Sequence, residues 1–312
     1  MKILYHHFQI VYALNILSIL DRILYMSEQL ATVVAATPPR IIQLYCACNL
    51  GDHVYNFFLF YHIHDILCKE NIIIEYRCNE QYHAQLREFI PSPERVRLVN
   101  YCGDHDKIGI NMHIGSGDLR ANLWTKTHPY FDKFYLEYYL DILEKMNIPK
   151  AIAAAVDNPP LFQYTDPELL IRYDFLPVEC KDIDVLIINS SPRSGQYAHY
   201  GSDIEYWNYF AYRLMTEKNL KIITTEKYDS RIKCTTDYSL SVKSIGSLST
   251  RAKVIISINT GPLSPCYNTY TLENVRKIYM FHSDHKHIHP KVVQPERLVD
   301  VDIDEVVELC RV

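Results

Sequence analysis

Glycine is scarce in this sequence, with 9 residues in 312, whereas tyrosine occurs 25 times. In such a composition a glycine is expected where a side chain would not fit, which makes Gly51 and Gly261 informative. A basic cluster is also missing, because 32 Lys and Arg residues are dispersed among 37 Asp and Glu residues. The net charge of −5 therefore does not suggest a nucleic-acid or anionic-membrane partner. The apolar fraction of 48% is that of an ordinary globular protein.

Patterns for disulfides and metals are missing as well. The nine cysteines are odd in number, dispersed and without a C-x-x-C pair, which favours reduced, buried thiols in the cytosol. A histidine-rich segment near the C-terminus fits no standard zinc spacing, so a polar surface loop is favoured there over a metal site. Its histidines are His282, His285, His287 and His289. We expect neither a metal nor a cofactor.

The longest uncharged segment, residues 3–20, is not typical of a membrane span. It contains two His, a Gln and an Asn, it lacks the small-residue cleavage site of a signal peptide, and Asp21 and Arg22 interrupt it. Large apolar residues recur in it at helical spacing, which indicates an amphipathic helix. We expect this helix to dock on the protein itself. The alternatives are a partner or a membrane surface, contacted peripherally through residues 1–24 of a cytoplasmic protein.

After Pro38 and Pro39 the sequence alternates short apolar runs with helical segments, which predicts an α/β protein with parallel sheets. The expected strands are 41–47, 72–78, 96–99, 110–114, 184–189, 220–225, 254–258 and 277–281. The expected helices are 53–69, 80–89, 130–146, 204–218 and 239–249. We predict two Rossmann-like domains facing across a cleft, residues 39–160 and 182–312, joined by a Pro-rich linker at 161–181. Residues 1–38 would form an N-terminal helical extension.

Ligands of open parallel sheets bind at the carboxyl ends of the strands, so the loops that follow the strands are the candidate site. The first loop contains Asn49, Gly51, Asp52 and His53. Asp52 would lie in the first turn of a helix, where the backbone dipole favours an ionised carboxylate that can accept a proton from a hydroxyl group. The alternative is that Asp52 or Asn49 merely caps the helix.

Two loops of the second half suggest an anion site. Ser190, Ser191 and Arg193 follow the strand at 184–189 and could hold a phosphate, although the same residues are ordinary turn formers. Asn259-Thr260-Gly261-Pro262 follows the strand at 254–258 and could present backbone amides to a ligand, with an ordinary strand-to-helix turn as the alternative. Both loops leave the same edge of one sheet, so they could converge on one diphosphate.

A further loop in the first half contains His113, Gly115 and, nearby, Trp124. It also follows an expected strand, so we list these residues as candidate acceptor contacts. A single G-x-G element is weak evidence, and a loop without a ligand is the favoured interpretation.

The three principal loops, NLGDHVYNF, INSSPRS and ISINTGP, resemble those of the GT-B glycosyltransferases, specifically the heptosyltransferase-like branch. The resemblance implies that Asp52 is the catalytic base, and that Ser190, Ser191 and Arg193 hold the nucleotide diphosphate. It further implies that Asn259, Thr260 and Gly261 contact the phosphate or donor sugar, and that Glu226 binds the ribose. The sequence departs from the family at Asn259, where Asp is frequent, and at Arg193, which would replace a Lys that is common near the phosphate loop. The His that often follows the Thr-Gly-Pro element is also missing, because Leu263-Ser264-Pro265 stands there.

The resemblance implies transfer of a sugar from a nucleotide-sugar donor to a hydroxyl acceptor on a glycan or glycolipid, with inversion and without a metal. The 39–160 domain would bind the acceptor and the 182–312 domain the donor. Two alternatives stay open: an enzyme similar to polysaccharide pyruvyl transferases, which would use phosphoenolpyruvate, and a non-catalytic subunit that binds a nucleotide or sugar.

Overall fold

The computed structural model describes residues 38–113, 131–157, 180, 182–189, 204–227, 229–281 and 289–311. The predicted N-terminal helix and almost all of the linker lie outside these ranges. The same holds for several candidate site residues, namely Ser190, Ser191, Arg193, Gly115 and Trp124, and for His282, His285 and His287. Within the described ranges, no helix is long and apolar enough to cross a membrane, and no cluster of His, Cys, Asp or Glu is arranged to hold a metal.

Residues 41–312 form one compact unit. The first sheet contains β1 (Arg40–Tyr45), β2 (Ile72–Cys78), β3 (Val96–Asn100) and β4 (Ile110–Asn111). Its strand order is β3-β2-β1-β4, and the pairs β2–β3 and β1–β4 are parallel. The helices of this block are α1 (Leu50–His62), α2 (His64–Lys69), α3 (His83–Leu86), α4 (Phe131–Met146) and α5 (Pro149–Asp157).

The second sheet has the order β10-β9-β8-β5-β6-β7 and is also parallel throughout. Its strands are β5 (Val185–Ile188), β6 (Ile222–Thr224), β7 (Lys233–Cys234), β8 (Val254–Ile258), β9 (Lys277–Phe281) and β10 (Val292–Val293). The sequences VLII and VIISI of β5 and β8 are buried at every position, as expected for central strands that are covered on both faces. The helices are α6 (Ile204–Thr216), α7 (Val242–Ser249), α8 (Thr269–Asn274) and α9 (Ile303–Arg311).

Most predicted elements are confirmed, with parallel sheets in an α/β fold, but two helices differ. The segment 53–69 is divided at Ile63 into α1 and α2, because Ile63 has the non-helical angles φ −96° and ψ 6°. The segment 80–89 contains only α3, of four residues, between two short 3-10 helices. The weak strands β7 and β10, of two residues each, were not predicted.

The two β/α blocks share one hydrophobic core. The larger buried cluster includes Leu44 and Ile74 from the first sheet together with Leu186 and Met280 from the second. A smaller cluster lies on the other face of the second sheet, beneath α6 and α9. Polar contacts join the blocks as well, since Ser241 Oγ donates to Glu88 Oε2 at 2.6 Å. The blocks therefore pack directly against each other, and the domain boundaries at 160 and 181 stay a prediction.

All nine cysteines are free thiols, as predicted, and six are buried. Cys48 is half-buried, whereas Cys68 and Cys102 are exposed, contrary to the expectation that all would be buried. Burial raises the pKa of the Cys78 and Cys266 thiols to about 12. Because the thiolate is the reactive form, these two groups are chemically inert in the folded protein.

We expect Cys68 and Cys102 to react first with iodoacetamide at about pH 8, because they are exposed, while Cys78 and Cys266 stay unmodified. Peptide mapping by mass spectrometry after short incubation measures the order of labelling. The control is the protein unfolded in guanidinium, in which every cysteine should react. Rapid labelling of Cys78 or Cys266 in the native protein would contradict the burial described above.

Candidate functional site

The loop between β1 and α1 carries the proposed base. Helix α1 starts at Leu50, with Asn49 as its N-cap residue and Asp52 in its first turn. Asn49 makes no side-chain capping bond, and its Oδ1 instead accepts a hydrogen bond from the Tyr82 hydroxyl at 3.5 Å. Capping by Asn49 is thus not observed. The Asp52 carboxylate lies at the positive end of the helix dipole, which favours its ionised form.

This loop touches the loop after β8 backbone to backbone. A Cβ atom built on Gly51 would lie 2.9 Å from Ser264 Oγ and 3.5 Å from Gly261 Cα. A Cβ atom built on Gly261 would lie 3.1 Å from Leu50 Cβ and 3.2 Å from the Gly51 nitrogen. The structure therefore brings together the Gly-Asp loop of the first block and the Thr-Gly-Pro loop of the second. We call this the Gly51–Gly261 contact.

The contact gathers polar groups that have no partner. The Thr260 hydroxyl oxygen is buried and makes no hydrogen bond, although Thr260 is the N-cap residue of the 3-10 helix Gly261–Cys266. In the part of the chain that the structure describes, the backbone amides of Leu50, Gly51 and Gly261 make no hydrogen bond either. Amides at the start of helical turns are the groups that bind phosphate in many proteins. The arrangement can therefore hold an anion next to Asp52.

Tyr55 and Ser264 connect the two loops through their side chains. Burial raises the pKa of the Tyr55 phenol far above its ordinary value, a hydrogen bond with Ser264 opposes this shift, and the nearby Asp52 carboxylate adds to it. The phenol consequently stays protonated beside Asp52. Sequence reasoning missed Tyr55, although it lies three residues after Asp52 on one helix and so on a neighbouring face.

The remaining predicted residues lie at the carboxyl ends of the strands. The backbone N–H of Asn259 donates to the Phe281 carbonyl of β9, which fixes the backbone at this position. Asn189, at the end of β5, accepts the Glu226 amide at 2.9 Å and so fixes Glu226 after β6. Strand β6 is two places from β8 in the sheet, a lateral distance of about 10 Å. His113 follows β4, and its amide donates to Asn111 Oδ1.

His53 differs from the other predicted residues because its ring is completely buried. It contacts Tyr76 and Tyr82 at centroid distances of 5.7 and 5.2 Å. A ring in this position faces the core of the first block, so any contribution of His53 to the site is indirect in this structure.

The substitution Gly51→Ala is expected to lower the free energy of unfolding by about 1–3 kcal/mol, because its methyl group would crowd Ser264 Oγ. Ser264→Ala removes that oxygen. In a Ser264→Ala background, Gly51→Ala should therefore lower the free energy of unfolding much less than it does in the wild-type protein. Gly261→Ala should cost more than Gly51→Ala, because its nearest neighbours include the Gly51 backbone, which cannot rotate away. Urea unfolding of the four variants measures the coupling. Strictly additive effects of Gly51→Ala and Ser264→Ala would show that the contact is absent.

No family model matches the chain, and a search of curated proteins finds no match. Among solved structures, the chain is similar to the E. coli heptosyltransferase WaaC with ADP-2-deoxy-2-fluoro heptose, at 11% identity and a TM-score of 0.45, over 82% of this chain and 92% of that one. It is similar to the glycosyl transferase family 9 protein from Veillonella parvula DSM 2008, at 10% identity and a TM-score of 0.42, over 83% and 86%. It is also similar to E. coli ADP-heptose lps heptosyltransferase II, at 11% identity and a TM-score of 0.37, over 86% and 97%. The solved structures to which this chain is similar thus include heptosyltransferases.

Proposed function

We propose that this protein is a glycosyltransferase that moves a sugar from a nucleotide-sugar donor to a hydroxyl acceptor, with inversion and without a metal ion. The observation that carries the proposal is the Gly51–Gly261 contact. It brings the loop of Asp52, with the free amides of Leu50 and Gly51, against the loop of the second block that carries the buried, unpartnered Thr260 hydroxyl and the free Gly261 amide. A base and an anion site side by side are what displacement of a diphosphate requires.

In the proposed reaction, Asp52 accepts the proton of the acceptor hydroxyl. The oxygen of that hydroxyl attacks the anomeric carbon of the donor at the same time. The bond between that carbon and the diphosphate oxygen breaks, and its electron pair leaves with the diphosphate. The Thr260 hydroxyl and the amides of Leu50, Gly51 and Gly261 stabilise the charge that develops there, which is commonly the largest contribution to catalysis in such sites. The protonated phenol of Tyr55 adds a neutral donor close to Asp52.

The donor would extend from this anion site along the carboxyl edge of the second sheet. Glu226, about 10 Å from the end of β8, is suitably placed for the ribose of the nucleotide. Ser190, Ser191 and Arg193, in the loop after β5, would complete the diphosphate site between them. Asn49 and His113 border the same edge of the first sheet and are our candidates for acceptor contacts, together with Gly115 and Trp124. A glycan or glycolipid acceptor and peripheral membrane contact through residues 1–24 belong to this proposal.

A thermal-shift screen with ADP, UDP, GDP, CMP and phosphoenolpyruvate tests the donor. We expect one nucleoside diphosphate to raise the melting temperature, because a ligand that binds only the folded state stabilises it. Thr260→Val should weaken that shift while leaving the unliganded protein equally or more stable, because the hydroxyl it removes is buried and unpaired. Stabilisation by phosphoenolpyruvate alone would favour pyruvyl transfer, and the absence of any shift would favour a subunit without a donor.

Asp52→Asn is expected to lower the rate of sugar release from the matching nucleotide sugar by a factor of about 10²–10⁴, because the general base is lost. The rise in melting temperature caused by the nucleotide should persist in this variant, since the asparagine side chain keeps the shape of the aspartate side chain. Asp65→Asn is the matched control, because Asp65 lies exposed in the first turn of α2. A wild-type rate in Asp52→Asn would remove Asp52 from the mechanism.

A further inference from the structure

A buried hydrogen-bonded relay lies beneath the first turn of α1, where α1 packs on the first sheet. Its members are His53 and Asn56 of α1, Tyr76 of β2 and Tyr138 of α4, and none is more than 1% exposed. His53 Nδ1 lies 2.7 Å from the Tyr76 hydroxyl, which accepts from Asn56 Nδ2 at 2.8 Å. The Tyr138 hydroxyl donates to Asn56 Oδ1 at 2.6 Å. Two further elements, β2 and α4, are thereby joined to the N-terminal half of α1.

The Met112 carbonyl, just after β4, brings a fourth element into the relay. It lies 2.7 Å from the Tyr138 hydroxyl and 3.3 Å from Asn56 Nδ2. A carbonyl can only accept, so Asn56 Nδ2 points a hydrogen at it, and the single Tyr138 hydrogen is shared between this carbonyl and Asn56 Oδ1. The orientation of the Asn56 amide follows, with its nitrogen toward Met112 and Tyr76 and its oxygen toward Tyr138.

The orientation of the Asn56 amide assigns the tautomer of His53. Burial raises the pKa of the Tyr76 and Tyr138 phenols well above the ordinary value, so each keeps its one proton. The Tyr76 oxygen already accepts from Asn56, and His53 Nδ1 is the acceptor within reach of its proton. The relay is fully used when Nδ1 is bare and the ring proton is on Nε2. In the described part of the chain, Nε2 is buried and has no partner.

The relay compensates for a cap that α1 lacks. Helices ordinarily fix their first turn with an N-cap side chain, yet Asn49 makes no such bond, and its side chain is engaged by Tyr82. The Tyr82 ring in turn packs on the His53 ring. The first turn of α1 is therefore held from the core, through the residue next to Asp52, and not from its own N-terminus.

We propose that His53 is a positioning residue for Asp52, and that the bond between His53 Nδ1 and the Tyr76 hydroxyl sets the position of the Asp52 carboxylate against the Gly51–Gly261 contact. This inference rests on the proposed role of Asp52 as the base. His53 itself touches neither donor nor acceptor. Its effect on the reaction passes through the backbone of the first turn of α1.

The test compares Tyr76→Phe, His53→Leu, His53→Asn and the double variant His53→Leu with Tyr76→Phe. We expect kcat for sugar release to fall by a factor of about 10–100 in Tyr76→Phe and His53→Leu, because small misplacements of a catalytic group cost rates of this order. The Kd for the nucleoside diphosphate should change less than about twofold in both. His53→Asn, which keeps a hydrogen-bonding atom near the Nδ1 position, should retain much of the rate. The double variant should lose no more than either single one, because both break the same bond.

A second measurement needs no substrate. The carboxyl carbon of Asp52, followed by NMR as the pH is varied, should change its titration midpoint by about 0.5 units or more in Tyr76→Phe. Tyr279→Phe is the matched control, since it deletes a hydroxyl of a similarly buried tyrosine that bonds Glu305 in the second block. It should leave both the Asp52 titration and kcat unchanged.

The outcomes separate the inference from the proposed function. If no nucleotide binds the wild-type protein, the glycosyltransferase proposal fails, and the Asp52 titration still decides whether His53 positions that carboxylate. If the wild-type protein is active but Tyr76→Phe keeps its kcat and its Asp52 titration, the positioning role is overturned. A parallel loss of stability, nucleotide affinity and rate in Tyr76→Phe, without a change in the Asp52 titration, would also overturn it.

Discussion

Two glycine residues from different sheets set the geometry of the candidate site. Gly51 and Gly261 approach so closely that a methyl group on either would collide with the facing loop. Gly51 directly precedes Asp52, and Gly261 directly follows Thr260. The separation of the two loop backbones is thus set by direct contact, which is less adjustable than contact between side chains. The scarcity of glycine in the chain makes this pairing of two of its nine residues more informative.

Helix α1 has a different function on each of its sides. One side carries Tyr55, whose pKa responds to the nearby Ser264 of the second block, and α1 packs against the 3-10 helix Gly261–Cys266. The other side carries His53 and Asn56, whose polar atoms bond to β2 and α4. The helix is therefore held by polar contacts from both directions. Such buried networks specify a single arrangement because any unpaired member is costly.

The sequence was sufficient to predict the principal strands of both sheets and to select the loops of the candidate site. Alternation of apolar runs and helices located the strands, and the rule that ligands bind at carboxyl ends selected the loops of Asp52 and Thr260. The sequence did not predict that α1 ends at His62, because no proline or glycine marks Ile63. The sequence also did not show that the neighbouring residues His53 and Asp52 have different environments. The His53 ring is buried in the core, whereas Asp52 lies in the first turn of α1, beside Gly51.

These features were not predicted because they depend on contacts with residues that are distant in the sequence. His53 is buried because Tyr76, 23 positions later, supplies a hydroxyl for its nitrogen. Helix α3 is short because the flanking turns are 3-10, which local propensity does not distinguish from α-helix. Glu226 was named only through a family resemblance, and its fixed position comes from Asn189, 37 residues earlier. Contacts at such separations leave no periodic signal in a sequence.

The hydrophobic core that continues from one sheet to the other has a consequence for how a substrate enters and leaves. In enzymes built from two independent lobes, a hinge can swing the lobes apart through water. Here Leu263 and Cys266, next to the Gly51–Gly261 contact, belong to the same buried cluster as Val54 and Phe57 of α1. Swinging the blocks open at this point would wet that apolar surface. Sliding of packed helices past one another keeps it dry, so shear is the motion that suits this architecture.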